Sequence, residues 1–104
     1  MTGQDPARET MRAQSAEAPE SLEVRRKRLR FRSWHRGTRE MDLLVGSFAD
    51  RHLAGFDSGQ LDRYEALLLE PDPDLYNWMI GAAEPPGALD HDVMKLLRSF
   101  KYHP

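Results

Sequence analysis

Cysteine is missing from this 104-residue sequence, and its absence removes several classes of protein from consideration. Without a thiol the chain can form no disulfide framework, no thiolate zinc site and no catalytic cysteine. Apolar runs are also short, and none approaches the roughly 20 residues that a membrane-spanning helix needs. We therefore expect no membrane insertion, and the lack of cysteine suits a protein of a reducing compartment.

The motifs that usually carry catalysis or cofactor binding are missing as well. The four histidines form no H-x-x-x-H or H-E-x-x-H pair, so no metal site is predicted. There is no glycine-rich phosphate loop, and Ser47 lacks the flanking pattern of a nucleophile elbow. Acidic clusters such as D-P-D and D-H-D lie near predicted helix starts, where carboxylates are favoured for structural reasons. The sequence predicts no catalytic residues and no stably bound cofactor.

The first 20 residues contain few large apolar side chains, so they could bury too little surface to offset the entropy lost on ordering. We interpret them as a disordered tail. The stretch lacks the apolar core of a secretory signal, and its acidic residues argue against a mitochondrial presequence. These acids are Asp5, Glu9, Glu17 and Glu20. The compartment predicted from these features is a bacterial cytoplasm.

Residues 21–104 read as helix, because apolar residues recur at helical spacing and nowhere alternate as in a strand. The five predicted helices cover residues 21–36, 38–53, 57–70, 72–83 and 88–103. Asp57 and Gln60 form a capping box at the third helix. Asp72 is predicted as the N-cap of the fourth helix, with Pro73 in its first turn. These residues would form one small, compact all-α domain, a five-helix bundle.

The first predicted helix has apolar residues at Leu22, Leu29, Phe31 and Trp34 in a strongly basic background. Each of the other four helices carries apolar residues on one face, which should turn toward the core. They are Met41, Leu44, Val45 and Phe48; Leu61, Tyr64 and Leu68; Leu75, Trp78, Met79 and Ala82; and Leu89, Val93, Leu96, Leu97 and Phe100. The helices are short, so packing between them must supply most of the stability.

Charge is distributed unevenly, although the net charge is only −2. Residues 1–41 carry ten basic and six acidic side chains, whereas residues 42–104 carry five basic and eleven acidic ones. Seven arginines and one lysine fall within residues 25–39. This segment could bind nucleic acid through phosphate contacts, or it could pair with the acidic remainder of the domain. No nucleic-acid-binding motif is present, which makes nucleic acid the less favoured partner.

The segment R-S-W-H-R-G-T-R-E-M-D, residues 32–42, places Gly37 between Arg36 and Arg39, with Glu40 close behind. A glycine between two helices is common, because it adopts the left-handed conformation without steric penalty. Glu40 follows Arg36 by four residues, a spacing that permits a local ion pair. On spacing alone, a structural corner is the better explanation, and a functional one needs further support.

Two sequence blocks supply that support, because together they resemble the SdhE family, the bacterial relatives of mitochondrial succinate dehydrogenase assembly factor 2. The R-G-x-x-E motif of the family and its continuation are matched by Arg36, Gly37, Glu40, Met41 and Asp42. A second block, D-P-D-L-[FY]-N-W, is matched by residues 72–78. The resemblance covers about residues 22–101 and leaves the predicted tail outside the shared region.

The resemblance implies a small five-helix protein without enzymatic activity. Members bind the flavoprotein subunit of succinate dehydrogenase, and in some bacteria that of fumarate reductase. They promote covalent attachment of FAD to a histidine of that subunit. The implied partner-binding residues are Arg32, Arg36, Gly37, Arg39 and Glu40.

Roles for these residues follow from their chemistry. Gly37 would let the backbone approach a partner closely, because no Cβ stands in the way. Arg36 would offer a planar, bidentate donor to a partner carboxylate or carbonyl. Glu40 would orient Arg36 or accept from an arginine of the partner. His35 and His52 are interpreted as surface or space-filling residues without a role.

Overall fold

The computed structural model describes residues 20–101, in which five α-helices are joined by short loops. The helices are α1 (Leu22–Trp34), α2 (Arg39–His52), α3 (Ser58–Leu68), α4 (Asp72–Met79) and α5 (Asp92–Ser99). Short 3₁₀ helices follow α2 at Leu53–Gly55 and precede α5 at Gly87–Leu89. No strand occurs in the described range, so the predicted all-α five-helix fold is confirmed. The predicted disordered tail lies outside the described residues, apart from residue 20.

Side-chain caps fix where the first three helices begin. The Ser21 side chain accepts from the amide of Val24, and Thr38 does the same for the amide of Met41. At α3 the predicted capping box is confirmed, because Asp57 and Gln60 each accept from the other's backbone amide. These caps satisfy amides that the first helical turn leaves without a backbone partner.

One apolar core joins all five helices. Tyr64 of α3 is fully buried, and its hydroxyl lies 2.6 Å from the Ser33 hydroxyl of α1. Burial raises the pKa of Tyr64, so the phenol stays protonated and able to hydrogen bond. The buried apolar residues are Leu29, Met41, Val45, Phe48, Ala49, Leu53, Phe56, Leu61, Tyr64, Leu67, Leu68, Leu75, Trp78, Val93, Met94 and Leu97.

Helices α1 and α2 make the most extensive helix pair, and a glycine brings them together. A Cβ on Gly46 would lie 2.2 Å from Cδ2 of the Trp34 indole, so only glycine leaves room for the ring. The indole nitrogen of Trp34 also donates to Asp50 at 3.1 Å. This close packing fixes the end of α1 against α2, next to Gly37.

Two of the apolar residues of α1 are exposed, Phe31 by 64% and Leu22 by 40%. Phe31 lies on the face opposite Leu29 and Ser33, whereas Leu22 shares their face but is the first residue of the helix. The prediction that Ala82 faces the core is wrong. Ala82 is exposed because α4 ends at Met79, before that position is reached. The first helix buries little apolar surface and is held largely by its polar side chains.

Several predicted helix boundaries also differ. The first helix ends at Trp34 instead of residue 36, and α5 starts at Asp92 instead of residue 88 because His91 is its N-cap. Nδ1 of His91 accepts from the amide of Met94. The fourth helix has Pro71 at its N-cap position, and Asp72, the predicted cap, is its first helical residue. The carboxylate of Asp72 is therefore free to pair with a side chain outside α4.

Candidate functional site

Gly37 occupies the loop between α1 and α2, where it is exposed and has a φ of +119°. Residues with a side chain rarely adopt this φ, so the loop conformation favours glycine on backbone grounds alone. A Cβ at this position would meet no atom within 4 Å. The space in front of Gly37 is therefore open, and any added side chain would project outward from the surface.

The side chain of Arg36 turns inward instead of toward solvent, and only 9% of it is exposed. Its guanidinium donates to the carbonyls of Leu68 and Glu70, at 2.6 and 2.9 Å. It also pairs with Asp72, with Nε 2.8 Å from Oδ1. The guanidinium thus fastens the Gly37 loop to the corner between α3 and α4. Direct contact between Arg36 and a partner stays a prediction. In the structure its guanidinium instead bonds to groups of the same domain.

Asp42 holds the same loop from the other side. Its Oδ1 accepts from the backbone amides of Arg36 and Gly37, at 2.6 and 3.2 Å. Asp42 lies in the first turn of α2, whose start is fixed by the Thr38 cap. The two matched sequence blocks therefore meet in space, because residues from both fix the conformation at Gly37.

Arg39 and Glu40 lie exposed in the first turn of α2, directly after the loop. Together with Leu43 and Leu44 they line a shallow depression of about 430 Å³. The local ion pair considered between Arg36 and Glu40 does not form in the described part of the chain, because Arg36 pairs with Asp72. The side chains of Arg39 and Glu40 make no ion pair with a described residue, which leaves both charges facing solvent.

Most of the basic residues between 25 and 39 are paired within the domain. Glu65 of α3 accepts from Arg25, Arg28 and Arg32, at 3.0, 3.0 and 3.4 Å. Hydrogen bonding to Arg28, helped by Arg25, holds the pKa of the Glu65 carboxyl below its ordinary value. Arg26 donates to two backbone carbonyls instead. Arg32, a predicted partner-binding residue, is 34% exposed and partly engaged by Glu65.

This pairing bears on the nucleic-acid alternative. Of the eight basic residues in this segment, only three make neither an ion pair nor a side-chain hydrogen bond to a described residue; these are Lys27, Arg30 and Arg39. Affinity for a phosphate backbone grows with the number of cations available to neutralise it. The structure thus favours pairing of α1 with the acidic remainder of the domain over phosphate binding.

Other chemistry has little support in residues 20–101. No cluster of three or more histidine or acidic side chains there is arranged to hold a metal ion. The described helices include none that is both long and apolar enough to cross a bilayer. The feature that stands out is the Gly37 surface, which we define as Gly37 with the exposed side chains of Arg39 and Glu40.

Comparison with known proteins identifies the family. The family described as flavinator of succinate dehydrogenase matches residues 27–101, which include the Gly37 surface and every helix from the middle of α1 onward. This chain belongs to that family. The match confirms the resemblance seen in the two sequence blocks.

The curated relatives are named as assembly factors. Succinate dehydrogenase assembly factor 2, mitochondrial, of Dictyostelium discoideum is 42% identical over 77 residues, covering 74% of this chain and 55% of the relative. The Debaryomyces hansenii protein of that name is 51% identical over 59 residues, covering 57% and 42%. FAD assembly factor SdhE of Acetobacter pasteurianus is 40% identical over 67 residues, covering 64% and 62%. The chain spans about half the length of the curated relatives it matches.

The predicted bacterial cytoplasmic location is corrected by these relatives. The proteins from Dictyostelium discoideum and Debaryomyces hansenii, and others from Drosophila mojavensis, are named as mitochondrial. The physical reason for the error is that the features used were not selective. A lack of cysteine suits any reducing compartment, and acidic residues near residue 1 say nothing about the folded domain that the relatives share.

Proposed function

We propose that this protein is an assembly factor that binds the flavoprotein subunit of succinate dehydrogenase and promotes covalent attachment of FAD to that subunit. Membership of the flavinator family supports the proposal. So do relatives named as assembly factors of succinate dehydrogenase or of FAD. The protein contributes a docking surface and no catalytic group, and it holds no FAD of its own.

The observation that carries the proposal is the conformation at Gly37. This residue is exposed and has a positive φ, which favours glycine, and no atom of the described domain fills the space in front of it. Arg36 and Asp42 nevertheless fix the loop from two sides. An open position held this firmly is preorganised for an external partner, which lowers the entropy lost on binding.

In the proposed mechanism the flavoprotein holds the reacting histidine and FAD, and this protein acts only by docking. Formation of a bond between a histidine and the flavin requires the two groups to be held in a reactive geometry. Fixing such geometry lowers the barrier without any additional acid or base. We infer that docking at the Gly37 surface stabilises a conformation of the flavoprotein in which its histidine and FAD are aligned. The flavoprotein subunit of fumarate reductase, which the resemblance implies for some bacteria, remains a second predicted client.

The test compares two glycines with matched backbone demands. Gly37 and Gly81 both have positive φ, of 119° and 81°, and a Cβ added to either would have no atom within 4 Å. Arginine at either position should add similar backbone strain, about 1–3 kcal/mol. Each variant is coexpressed with the succinate dehydrogenase flavoprotein, and covalent flavin is measured by in-gel fluorescence. We expect Gly37→Arg to abolish co-purification and flavinylation, while Gly81→Arg retains both.

Two outcomes would contradict the proposal. Equal flavin fluorescence with and without this protein would show that it does not promote attachment. Equal losses in the Gly37→Arg and Gly81→Arg variants would show that backbone strain, and not a blocked docking surface, causes the defect. The variant Gly37→Ala adds strain with little bulk, so it should retain more binding than Gly37→Arg.

A further inference from the structure

Phe31 is a large aromatic side chain at the surface of α1, next to the Gly37 loop. It is 64% exposed, and its ring stacks on His35 with centroids 3.9 Å apart and planes inclined by 19°. Nδ1 of His35 lies 2.7 Å from the carbonyl of Phe31. Because a carbonyl only accepts, Nδ1 carries the proton, and this bond fixes the imidazole against the phenyl ring. Phe31 therefore presents a rigid apolar face to solvent.

A groove of about 430 Å³ runs beside this ring. One wall is formed by the end of α1 and the loop after it, from Phe31 to Arg36, and the other is the corner between α3 and α4. The same Arg36 side chain that anchors the Gly37 loop forms part of its lining. Residues before Gly37 line this groove and residues after Gly37 line the depression at Arg39 and Glu40, so the Gly37 loop connects the two linings along the chain.

The charges around Phe31 indicate which chemistry would complement it. Lys27 precedes Phe31 by four residues and therefore neighbours it on the outer face of α1. Lys27 is exposed and makes no ion pair with a described residue, and Arg32, which lines the groove, is 34% exposed and only partly engaged by Glu65. Of the two acidic residues on the opposite wall, Glu70 and Asp72, the second is paired with Arg36. An apolar ring bordered by these cations fits an apolar side chain that is bordered by acidic residues.

We propose that the docking surface extends from Gly37 across the Phe31–His35 stack, and that it receives an apolar side chain, bordered by acidic residues, of the flavoprotein subunit. This inference rests on the proposed function and assigns it a second contact region. Exposed aromatic residues that are already rigid lose little conformational entropy on binding, and such residues commonly dominate interface energetics. His35 supports the Phe31 ring in this arrangement, which gives it a role that its sequence position did not indicate.

The experiment measures the Kd of the purified flavoprotein subunit for Phe31→Ala, with Val24→Ala as the matched control. Val24 is 53% exposed on the same helix and precedes Phe31 by two turns, about 10 Å along the axis. We expect Phe31→Ala to raise Kd about tenfold or more, and Val24→Ala to change it less than about twofold. Thermal unfolding should show little change in either variant, because neither side chain belongs to the core. A second variant, His35→Ala, removes the support beneath Phe31 and should weaken binding by a smaller factor.

The outcomes separate this inference from the proposed function. If Gly37→Arg abolishes binding while Phe31→Ala binds like the parent, the docking surface is confined to Gly37 and the inference is overturned. Equal weakening by Phe31→Ala and Val24→Ala would also overturn it, because the effect would then belong to α1 as a whole. If the parent protein itself fails to bind the flavoprotein, both proposals are wrong.

Discussion

At the scale of single residues, the functional motif divides into side chains that face outward and side chains that support them. Gly37 and Glu40 are exposed, whereas Arg36 and Asp42 hold the loop in place. The matched blocks let the sequence propose which residues form the site, and their role in binding stays a prediction. It could not predict that Arg36 points inward, since its partner Asp72 lies 36 positions away. Spacing along a helix reveals only local neighbours. For this reason the sequence predicted Asp72 as a helix cap and not as the partner of Arg36.

A charge-neutral variant tests the supporting role of Asp72. We expect Asp72→Asn to lower the free energy of unfolding by about 1–3 kcal/mol, because the largely buried Arg36 guanidinium loses a charged acceptor. Urea unfolding followed by circular dichroism would measure this change. Hydrogen exchange at the amides of Arg36 and Gly37 should accelerate as the loop loosens.

The control for that variant is Asp74→Asn. Asp74 occupies the same first turn of α4, but its carboxylate makes no ion pair with a described residue. It should lose only the interaction with the helix dipole, about 0.3–1 kcal/mol. Equal stability losses in the two variants, with unchanged exchange at Gly37, would show that Asp72 does not position the loop.

At the scale of helices, the sequence predicted the number and order of elements but not all of their ends. Capping residues and proline breaks located α2, α3 and α4 to within a few residues. The start of α5 was missed because its cap is a histidine, and caps are usually serine, threonine, aspartate or asparagine. The outward orientation of Phe31 could not be predicted, because α1 is anchored mainly by arginines and its apolar residues mark no buried stripe.

The contact between α1 and α2 is tested by adding one methyl group. In Gly46→Ala the new Cβ would meet the face of the Trp34 ring, and overpacking of this kind destabilises by about 1–3 kcal/mol. Part of that loss is offset because alanine favours the helix over glycine by about 1 kcal/mol. We expect a net loss in the free energy of unfolding, measured by urea denaturation.

Two further variants isolate the cause of that loss. Gly59→Ala in α3 places its Cβ 3.4 Å from the flexible end of Arg63, so it should leave stability unchanged or slightly raised. In a Trp34→Ala background the ring is gone, and Gly46→Ala should then no longer destabilise. A Gly46→Ala protein as stable as the parent would mean that Trp34 moves aside easily and that the close approach of the helices is not required.

At the scale of the whole molecule, the uneven charge of the sequence becomes internal pairing. The basic α1 lies against α3, whose Glu65 accepts from three arginines. An ion pair between Arg63 and Asp92 joins α3 to α5. The composition indicates that the basic residues 1–41 and the acidic residues 42–104 attract each other. It does not show whether the basic side chains pair within the domain or with another molecule. The three-dimensional arrangement decides this, because it leaves few of the α1 cations available to another molecule.

Stability should therefore decrease with acid in two separate pH ranges. Burial lowers the pKa of His52 and His91 below 6.5, so their contribution is complete above pH 6.5 and is lost as pH falls through the lowered values. The pKa of Glu65 is held below 4.5 by its arginines, so its contribution is complete above pH 4.5 and is lost only at lower pH. As the pH falls, the loss of stability due to the two histidines therefore comes before the loss due to Glu65.

Replacing Glu65 by glutamine should reduce the loss of stability in the second range and leave the first unchanged. Part of the second range should remain, because arginine partners also lower the pKa of Asp92 and Glu20. Because the Glu65 side chain is 27% exposed and solvent screens its ion pairs, we expect Glu65→Gln to lose only about 1–2 kcal/mol at pH 7. The stability of the variant and the parent, measured by urea unfolding at successive pH values, should converge below pH 4.5. Glu23→Gln removes a first-turn carboxylate that makes no ion pair with a described residue, so it should lose only the interaction with the helix dipole, about 0.3–1 kcal/mol. Parallel curves for Glu65→Gln and the parent down to the lowest pH would show that the arginines of α1 are not held by Glu65, and the charge asymmetry of the chain would then again require an external partner.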